Sequence, residues 1–131
     1  MKTAIIDTNI VSALFKGDAD CARSLSEYQT IYFSVVVIAE QLYGYAKGNR
    51  ETQNTAYLEN FLSKPNVKVV QCTKRTAQIY AKTRKILSDE GRPIPSNDLW
   101  IASQAIELNA ILLSHDAHFG NIPLLQIHSP L

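Results

Sequence analysis

The stretch Thr-Ala-Ile-Ile-Asp-Thr-Asn occupies residues 3–9 and changes abruptly from apolar to polar. Its first four residues have the composition of a short buried β-strand, and Asp7 stands at the carboxyl end of that strand. Three further acidic residues stand where apolar segments meet polar ones, and they are Glu40, Asp98 and Asp116. The carboxyl ends of parallel strands meet at one edge of an α/β sheet, where ligands bind. We therefore expect the four carboxylates to converge on a single site.

Apolar runs that favour strands alternate with segments of helical periodicity along the whole chain. Strands are predicted at 3–6, 30–33, 67–70, 110–113 and 123–127. Helices are predicted at 9–15, 50–62, 74–90 and 96–108, with two more starting near Asp18 and after Ser34. The alternation predicts an α/β fold, a three-layer α/β/α sandwich around a mainly parallel sheet of four to five strands. The length favours a single domain over residues 1–131.

Several local assignments depend on particular residues. Asn49 is expected to cap the helix at 50–62, and Asn109 to end the helix at 96–108 in a left-handed conformation. The Val-Val-Val-Ile run at 35–38 fits either the start of a helix capped by Ser34 or a strand. If it is a helix, one apolar face holds Ala39, Leu42 and Tyr43.

The charge of the chain is nearly balanced, with 13 basic residues, 12 acidic residues and a formal net charge of +1. With the four acids above set aside, eight acidic residues face 13 basic ones. A basic body around an acidic pocket suits a polyanionic substrate, although a solvated surface of mixed sign is the ordinary alternative. Six of the basic residues fall in one helix and the loop after it, and they are Lys74, Arg75, Lys82, Arg84, Lys85 and Arg92.

Several classes of protein are not supported by the sequence. Cys21 and Cys72 are far apart, and no cysteine lies near His115, His118 or His128, so no zinc spacing is present. No phosphate-binding GxxxxGK[ST] loop, GxGxxG fingerprint or GxSxG nucleophile turn occurs. The N-terminus does not resemble a signal peptide, and the uncharged stretch 28–39 is too short to span a bilayer. We expect a cytoplasmic protein with no membrane association.

Each of the four acids has an ordinary structural explanation when it is taken alone, as a helix cap, a dipole partner or a turn residue. Together they would repel one another unless they took up protons or a divalent cation. An all-oxygen ligand set favours Mg²⁺ or Mn²⁺. Short polar neighbours suited to orienting carboxylates are Thr8, Asn9, Asn97 and Ser114.

Four segments of this chain resemble, in order and spacing, the motifs of PIN-domain ribonucleases. They are Asp-Thr-Asn-Ile at 7–10, Val-Val-Ile-Ala-Glu-Gln-Leu-Tyr-Gly at 36–44, Asn-Asp-Leu-Trp-Ile-Ala at 97–102, and Leu-Ser-His-Asp-Ala-His-Phe at 113–119. The length of the chain and the residues of the four motifs are similar to those of VapC-type toxins of bacterial type II toxin–antitoxin pairs. Ser114 stands where many members have threonine, which keeps the hydroxyl.

The resemblance implies a PIN-like fold and a metal-dependent endoribonuclease that hydrolyses RNA phosphodiester bonds. It implies that Asp7, Glu40, Asp98 and Asp116 hold one or two Mg²⁺ or Mn²⁺ ions, with Asn9 and Ser114 supporting them. Water activated by the cation would attack phosphorus, with no covalent enzyme intermediate. The resemblance also implies an antitoxin partner that covers the site, and a homodimer. Candidate contacts to the RNA are Arg92, Lys47 and Arg50.

Two other functions remain open from the sequence. A HAD-like phosphatase would use Asp7 as a phosphate acceptor, but it needs a second acid two residues later, where this chain has Asn9. A catalytically silent PIN-like binding module would not need all four acids. His115 and His118 flank Asp116, and either is a candidate proton carrier or an ordinary solvated turn residue.

Overall fold

The computed structural model describes residues 2–130, and its elements follow the predicted alternation. The strands are β1 Thr3–Ile6, β2 Thr30–Ser34, β3 Val67–Val70, β4 Ile111–Leu113 and β5 Ile127–His128. The α-helices are α1 Thr8–Phe15, α2 Ala19–Leu25, α3 Val35–Lys47, α4 Glu51–Leu62, α5 Lys74–Asp89 and α6 Ser96–Leu108. A 3₁₀ helix covers Ala117–Asn121, between β4 and β5.

The sheet within residues 2–130 has five strands in the spatial order β3-β2-β1-β4-β5, and every neighbouring pair is parallel. The chain passes from β1 outward to β3 and then returns to β4 and β5 on the other side of β1. Because crossovers between parallel strands are right-handed, α1 to α4 cover one face and α5 and α6 cover the other. The predicted three-layer α/β/α class is confirmed.

The reversal of direction between β1 and β4 determines where a ligand binds. Chains that wind away from a central strand in both directions leave a crevice at the carboxyl ends of the two strands where the winding reverses. Here the end of β1 is tied to the end of β4, because the backbone N–H of Asp7 donates to the carbonyl of Leu113 at 3.0 Å. The crevice therefore opens between Asp7 and the segment after β4.

Two strands pass into helices without a loop, because a polar side chain at the strand end caps the helix. Asp7 directly follows β1, and its Oδ1 accepts the backbone N–H of Thr8 at 2.8 Å. Ser34 ends β2, and its hydroxyl accepts the backbone N–H of Val36 at 3.0 Å. The run at 35–38 is therefore the start of α3. Both helices begin at the rim of the sheet.

The strands on either side of the crevice are the most deeply buried part of the chain. Ala4, Ile5 and Ile6 of β1 and Leu112 and Leu113 of β4 have no exposed surface, as expected for strands covered on both faces. Each large aliphatic side chain buried in this way contributes roughly 1.5–3 kcal/mol to stability. The crevice thus rests on a close-packed core. No helix in residues 2–130 is long and apolar enough to cross a lipid bilayer.

The two asparagines predicted to end helices behave differently. Asn109 follows α6 with φ of 51°, so the predicted left-handed cap is confirmed. Asn49 does not cap α4, because that helix begins at Glu51 and Arg50 occupies the cap position without a side-chain hydrogen bond to the helix. The Asn49 prediction is wrong because the helix starts one residue later than predicted, so the cap position falls on Arg50.

The last strand is shorter and later than the predicted 123–127. Leu124 has φ of 67°, and the N–H of Leu125 bonds back to the carbonyl of Ile122, so this segment forms a turn. Pro123 has no N–H to give to a β-ladder, which favours the turn over the strand. Pairing with β4 is made instead by β5, at Leu112↔Ile127 and Leu113↔His128.

The predicted apolar face of α3 does not face the core. Leu42 is 39% exposed, Tyr43 is 67% exposed and Ala39 is also exposed. The helix instead buries Val37 and Gln41, which lie one turn apart. Ser34 explains the difference, because its cap fixes where α3 begins and therefore which of its residues face the core. The outward residues leave apolar surface next to α4.

Candidate active site

Asp7 forms the buried side of the crevice and is only 4% exposed. Its Oδ2 accepts the hydroxyl hydrogen of Ser114 at 2.8 Å, and its Oδ1 accepts the N–H of Thr8. Strand β1 delivers the carboxylate to the rim, and the first turn of α1 fixes its orientation. A carboxylate with both oxygens engaged by the protein occupies one rotamer before any ligand arrives.

Ser114 connects the ends of β1 and β4, and it is almost fully buried. Its hydroxyl donates to Asp7 and accepts the backbone N–H of Asp116 at 3.0 Å and the amide of Asn9 at 3.4 Å. The Oδ1 of Asn9 in turn accepts the backbone N–H of His115 at 3.2 Å. A serine hydroxyl has one donor and two acceptor positions, and all three are used here. The structure therefore joins two of the predicted polar neighbours, Asn9 and Ser114, to Asp7 in one network.

Glu40 reaches the same rim from α3. It is the sixth residue of that helix, and its Oε1 accepts the hydroxyl hydrogen of Thr8 at 2.6 Å. Thr8 is adjacent to Asp7 and lies in α1, so this bond joins α3 to the start of α1. The direct passage from β2 into α3 at Ser34 brings Glu40 within reach.

Asp98 and Asp116 form the open side of the crevice together with His118. Asp98 lies in the first turn of α6, and Asp116 precedes the 3₁₀ helix. The Nδ1 atom of His118 is 3.0 Å from Oδ1 of Asp116 and 3.8 Å from Oδ2 of Asp98. One potential ligand atom from each of the three residues lies within 4.8 Å of the other two.

The electrostatic effect of gathering these acids is visible in two of them. Burial, followed by the charges of the other three site acids, raises the pKa of the Asp98 carboxyl to about 6, and nearby His118 opposes the rise. Burial also raises the pKa of Asp7, although its hydrogen bonds from Ser114 and Thr8 work in the other direction. Like charges in a partly buried site disfavour full ionisation unless a cation is present.

The donor set fits a divalent cation. Among residues 2–130, no lysine or arginine forms an ion pair with any of the four site acids, so no protein cation beyond a protonated histidine is available to neutralise them. Carboxylate oxygens are the ligands that Mg²⁺ and Mn²⁺ prefer. Four carboxylates in one crevice are the arrangement that such an ion would stabilise.

The other predicted site residues lie at varying distances from this cluster. Asn97 is exposed, and no hydrogen bond within the described chain joins its side chain to the site. Arg92 is exposed in the loop before α6. Lys47 stands over the ring of Tyr43, at the end of α3 and about 10 Å along that helix from Glu40. Arg50 donates to Gln53 at 2.8 Å. The structure does not bring these cations into the crevice.

The sequence makes His115 and His118 equal candidates for a proton carrier, and the structure gives them different surroundings. His115 turns away from the carboxylates, with Nδ1 2.9 Å from Oγ of Ser129 and Nε2 3.8 Å from Sγ of Cys21. His118 faces them. The signal was present in the sequence, because an aspartate that caps a helical turn binds the N–H of the residue two positions later. Asp116 does this to His118 at 2.9 Å, which keeps the histidine beside the cap.

Comparison with known proteins assigns the chain to one family. The family model of the PIN domain matches residues 4–124, which include all four acids. The chain therefore belongs to the PIN domain family. This confirms the resemblance drawn from the four motifs.

Individual relatives narrow the comparison within that family. Ribonuclease VapC2 of Rickettsia felis is 32% identical over 126 residues, which cover 92% of each chain. Ribonuclease VapC1 of Haemophilus influenzae strain R2866 is 32% identical over 127 residues, which cover 93% of each chain. The solved structure of VapBC2 from Rickettsia felis, bound to a DNA fragment from their promoter, superposes with a TM-score of 0.89 at 32% identity. That superposition covers 98% of this chain and 99% of the other.

Proposed function

We propose that this chain is a divalent-metal-dependent endoribonuclease and the toxin of a type II toxin–antitoxin pair. The observation that carries the proposal is the meeting of Asp7, Glu40, Asp98 and Asp116, from four separate parts of the chain, at the crevice between β1 and β4. Its VapC relatives are named ribonucleases, and one of them was solved in a VapBC complex on promoter DNA. Residues 1–131 would act as one unit, in the cytoplasm, where RNA and promoter DNA are found.

The four acids would hold one or two Mg²⁺ or Mn²⁺ ions, each acid in a different setting. Asp7 would be the fixed ligand, because Ser114 and Thr8 already orient it. Glu40, held by Thr8, would close the cluster from α3. Such an ion lowers the pKa of a water molecule and stabilises the leaving oxygen of a phosphodiester. Asn9 and Ser114 would keep the strand ends in register, while Asn97 would contribute only at the exposed edge.

Basic side chains outside the crevice would hold the RNA backbone. Lys74 and Arg75 lie in the first turn of α5, where the helix dipole disfavours positive charge by roughly 0.3–1 kcal/mol each. Asp89 ends the same helix, where negative charge is likewise disfavoured. This inverted order does not stabilise α5. The start of α5 is bonded to Glu107, at the end of α6 far from Asp98, so Lys74 and Arg75 would attract a polyanion at long range without holding it at the crevice. Arg92 follows α5 and leads into the Asp98 helix.

Lys47 and Arg50 would make weaker contacts with the RNA, because Tyr43 and Gln53 already engage them. An Arg92→Gln variant should raise the KM for RNA several-fold with little change in kcat. It should also reduce the salt dependence of binding by about one phosphate contact. A Lys64→Gln variant, which changes a cation before β3 at the other end of the sheet, should change neither quantity.

An antitoxin segment would bind next to the catalytic crevice. A cavity of about 500 Å³ lies between α1, α3 and α4, and its walls include Phe15, Tyr45 and Tyr57. The hydroxyl of Tyr45 is buried there with no hydrogen-bond partner in the described chain, which leaves a polar group for a partner to satisfy. Tyr57 in the cavity wall is largely exposed, as an apolar partner helix requires. Homodimer formation remains a prediction from the resemblance.

The experiment that tests the proposal measures RNA cleavage by the purified chain with Mg²⁺, with Mn²⁺ and in excess EDTA. Cleavage should need the metal and should disappear in an Asp7→Asn variant of unchanged fold. Expression should stop growth for the wild type and not for Asp7→Asn, and co-expression of the protein encoded beside it should restore growth. Cleavage at the wild-type rate in EDTA contradicts the proposal.

Two alternatives have distinct signatures. A silent PIN-like binding module would show no Mn²⁺ binding by calorimetry and no cleavage of any RNA. A HAD-like phosphatase would form a phospho-adduct at Asp7. The second is disfavoured because Asn9 replaces the required acid and its amide is bonded to Ser114 and His115.

A further inference from the structure

His118 presents a ring nitrogen to the two acids on the open side of the crevice. Its Nδ1 lies 3.0 Å from Asp116 Oδ1 and 3.8 Å from Asp98 Oδ2. Adjacent ligands about 2.1 Å from a common metal ion are themselves about 3 Å apart. The spacing of the three side chains is therefore close to that of neighbouring ligands.

The backbone of His118 is held in this place by its neighbours. Its N–H donates to Asp116 Oδ1 at 2.9 Å, within the turn that begins the 3₁₀ helix. The next residue, Phe119, is 1% exposed and anchors that helix in the core. The ring itself is half exposed and can adjust its position without moving the helix. A fixed backbone and an adjustable ring are the properties of a side chain that can close around an ion.

The other bonds of the two histidines distinguish their roles. Within residues 2–130, the ring of His118 has no polar contact except with the two carboxylates. The ring of His115 is engaged by Ser129 and lies against Cys21. One histidine is thus available to the site, while the other is occupied in packing the segment after β5 against α2.

An imidazole nitrogen changes the preference of a metal site. Mg²⁺ is a hard ion that is bound almost entirely by oxygen, whereas Mn²⁺ and later transition metals accept imidazole together with carboxylate. A site with two carboxylates and one imidazole on its open side should therefore discriminate between Mn²⁺ and Mg²⁺. Four carboxylates alone would discriminate less.

We propose that His118 supplies a nitrogen ligand to the metal centre, beside Asp98 and Asp116, and that it makes the centre selective for Mn²⁺ over Mg²⁺. The inference rests on the proposed function only in assuming that the four acids bind a cation. It adds a nitrogen ligand to the four carboxylates that the resemblance implies. RNA cleavage is not needed to test it.

The test is electron spin-echo spectroscopy of the full chain loaded with Mn²⁺ and no RNA. A nitrogen bound to Mn²⁺ produces a ¹⁴N modulation of the echo, and carboxylate ligands produce none. The wild type should show this modulation. His118→Gln should lose it. His115→Gln, a matched change one residue before Asp116, should keep it.

Calorimetry on the same three proteins gives the second readout. His118→Gln should weaken Mn²⁺ binding about tenfold, because a direct ligand is lost, and should weaken Mg²⁺ binding less than threefold. His115→Gln should weaken neither by more than twofold. Thermal unfolding without metal reports whether each variant is folded, so a misfolded protein cannot imitate the loss of a ligand.

Three results would overturn the inference. They are bound Mn²⁺ without a ¹⁴N modulation in the wild type, a modulation that survives in His118→Gln, and equal losses of Mn²⁺ and Mg²⁺ affinity in that variant. In the first two cases His118 is only a charge partner of the acids, and the proposed nuclease function stands. If Mn²⁺ binds through His118 but no RNA is cleaved, the inference stands and the proposed function fails.

Discussion

The two sides of the carboxylate crevice are held in different ways. On the buried side, Asp7 is almost inaccessible and receives hydrogen bonds from Ser114 and Thr8. On the open side, Asp98 and Asp116 are more exposed and share the single imidazole of His118. The core strands β1 and β4 support the first side. The second side depends on α6 and on a short 3₁₀ helix.

The difference indicates how the crevice is assembled. The buried side is completed by folding, since its oxygens are oriented by groups that are fixed in the core. The open side carries charge that the protein leaves poorly compensated, because within residues 2–130 no lysine or arginine pairs with it, and burial followed by the neighbouring carboxylates raises the pKa of Asp98. A cation would therefore stabilise the open side by neutralising its charge, and it would also take part in the chemistry of the whole site.

The largest effect is expected from Asp98→Asn on the open side. The amide keeps the size of the side chain and removes its charge, so RNA cleavage should fall about 10³-fold or more, a loss of about 4 kcal/mol in transition-state stabilisation. Single-turnover cleavage rates with saturating metal measure it. Glu59→Gln, which changes an exposed acid of α4, should cleave within a few-fold of the wild type. Equal losses in both variants would mean that the effect is not specific to the crevice.

Ser114→Ala on the buried side should lower metal affinity 10- to 100-fold. The change removes the hydrogen bond to Asp7 and leaves the N–H of Asp116 and the amide of Asn9 without their acceptor. Calorimetric metal titration is the measurement. Ser114→Thr keeps the hydroxyl and should retain most of the affinity. An alanine variant with wild-type affinity would show that the buried side needs no such support.

The stability of the metal-free protein should depend on pH through the open side. The pKa of Asp98 is raised on folding, so its protonated form is favoured in the folded state. The stability linked to it is fully present below about pH 4 and is lost as pH rises through about 6, by roughly 2 kcal/mol after allowance for solvent. Asp7 shifts in the same direction.

Asp98→Asn provides the control for this pH dependence, because an amide does not ionise. Without metal it should match the wild type near pH 4 and be the more stable protein at pH 7.5. At pH 7.5, added Mn²⁺ should raise the free energy of unfolding of the wild type by much of this difference, and it should raise that of the variant by little. Urea unfolding at both pH values tests this, and parallel profiles for the two proteins would refute the electrostatic account.

The smallest effect is expected from Thr8→Val, which removes the bond to Glu40 and preserves the shape of the side chain. Glu40 can still approach the cation, so cleavage should fall about two- to fivefold with little change in stability. Initial rates at subsaturating metal give the value. Thr8→Ser keeps the hydroxyl and should be close to the wild type. A fall in the cleavage rate of tenfold or more would show that Glu40 depends on Thr8 as strongly as Asp7 depends on Ser114.

Much of the fold was predictable because its signals are local. The continuous apolar run at 110–113 indicated a buried strand, and the predicted starts of the helices at 74 and 96 are confirmed. The errors lie where a distant contact or a backbone angle decides the outcome. The last strand is one such case, since the positive φ of Leu124 moves the pairing to Ile127.

The candidate site was predictable at the level of residue types and less so in its geometry. Strand ends in a parallel sheet converge by topology, so the meeting of Asp7 and Asp116 follows from the order of the elements. The rotation of a side chain does not follow from it. Two histidines flank Asp116 in the sequence. The one whose backbone N–H donates to Asp116 is His118, and its ring faces the acids. The exposed positions of Lys47 and Arg50 likewise depend on how α3 ends and α4 begins.

The direct passage from Ser34 into α3 makes the length of this segment as important as its composition. Each residue advances a helix by about 100°, so one residue inserted or deleted between Ser34 and Glu40 would carry the glutamate a quarter of a turn or more away from Thr8. The loop at 91–95 before α6 is not helical, so its length does not set the rotation of α6 about its axis. Length variation should therefore be tolerated before Asp98 and rejected before Glu40.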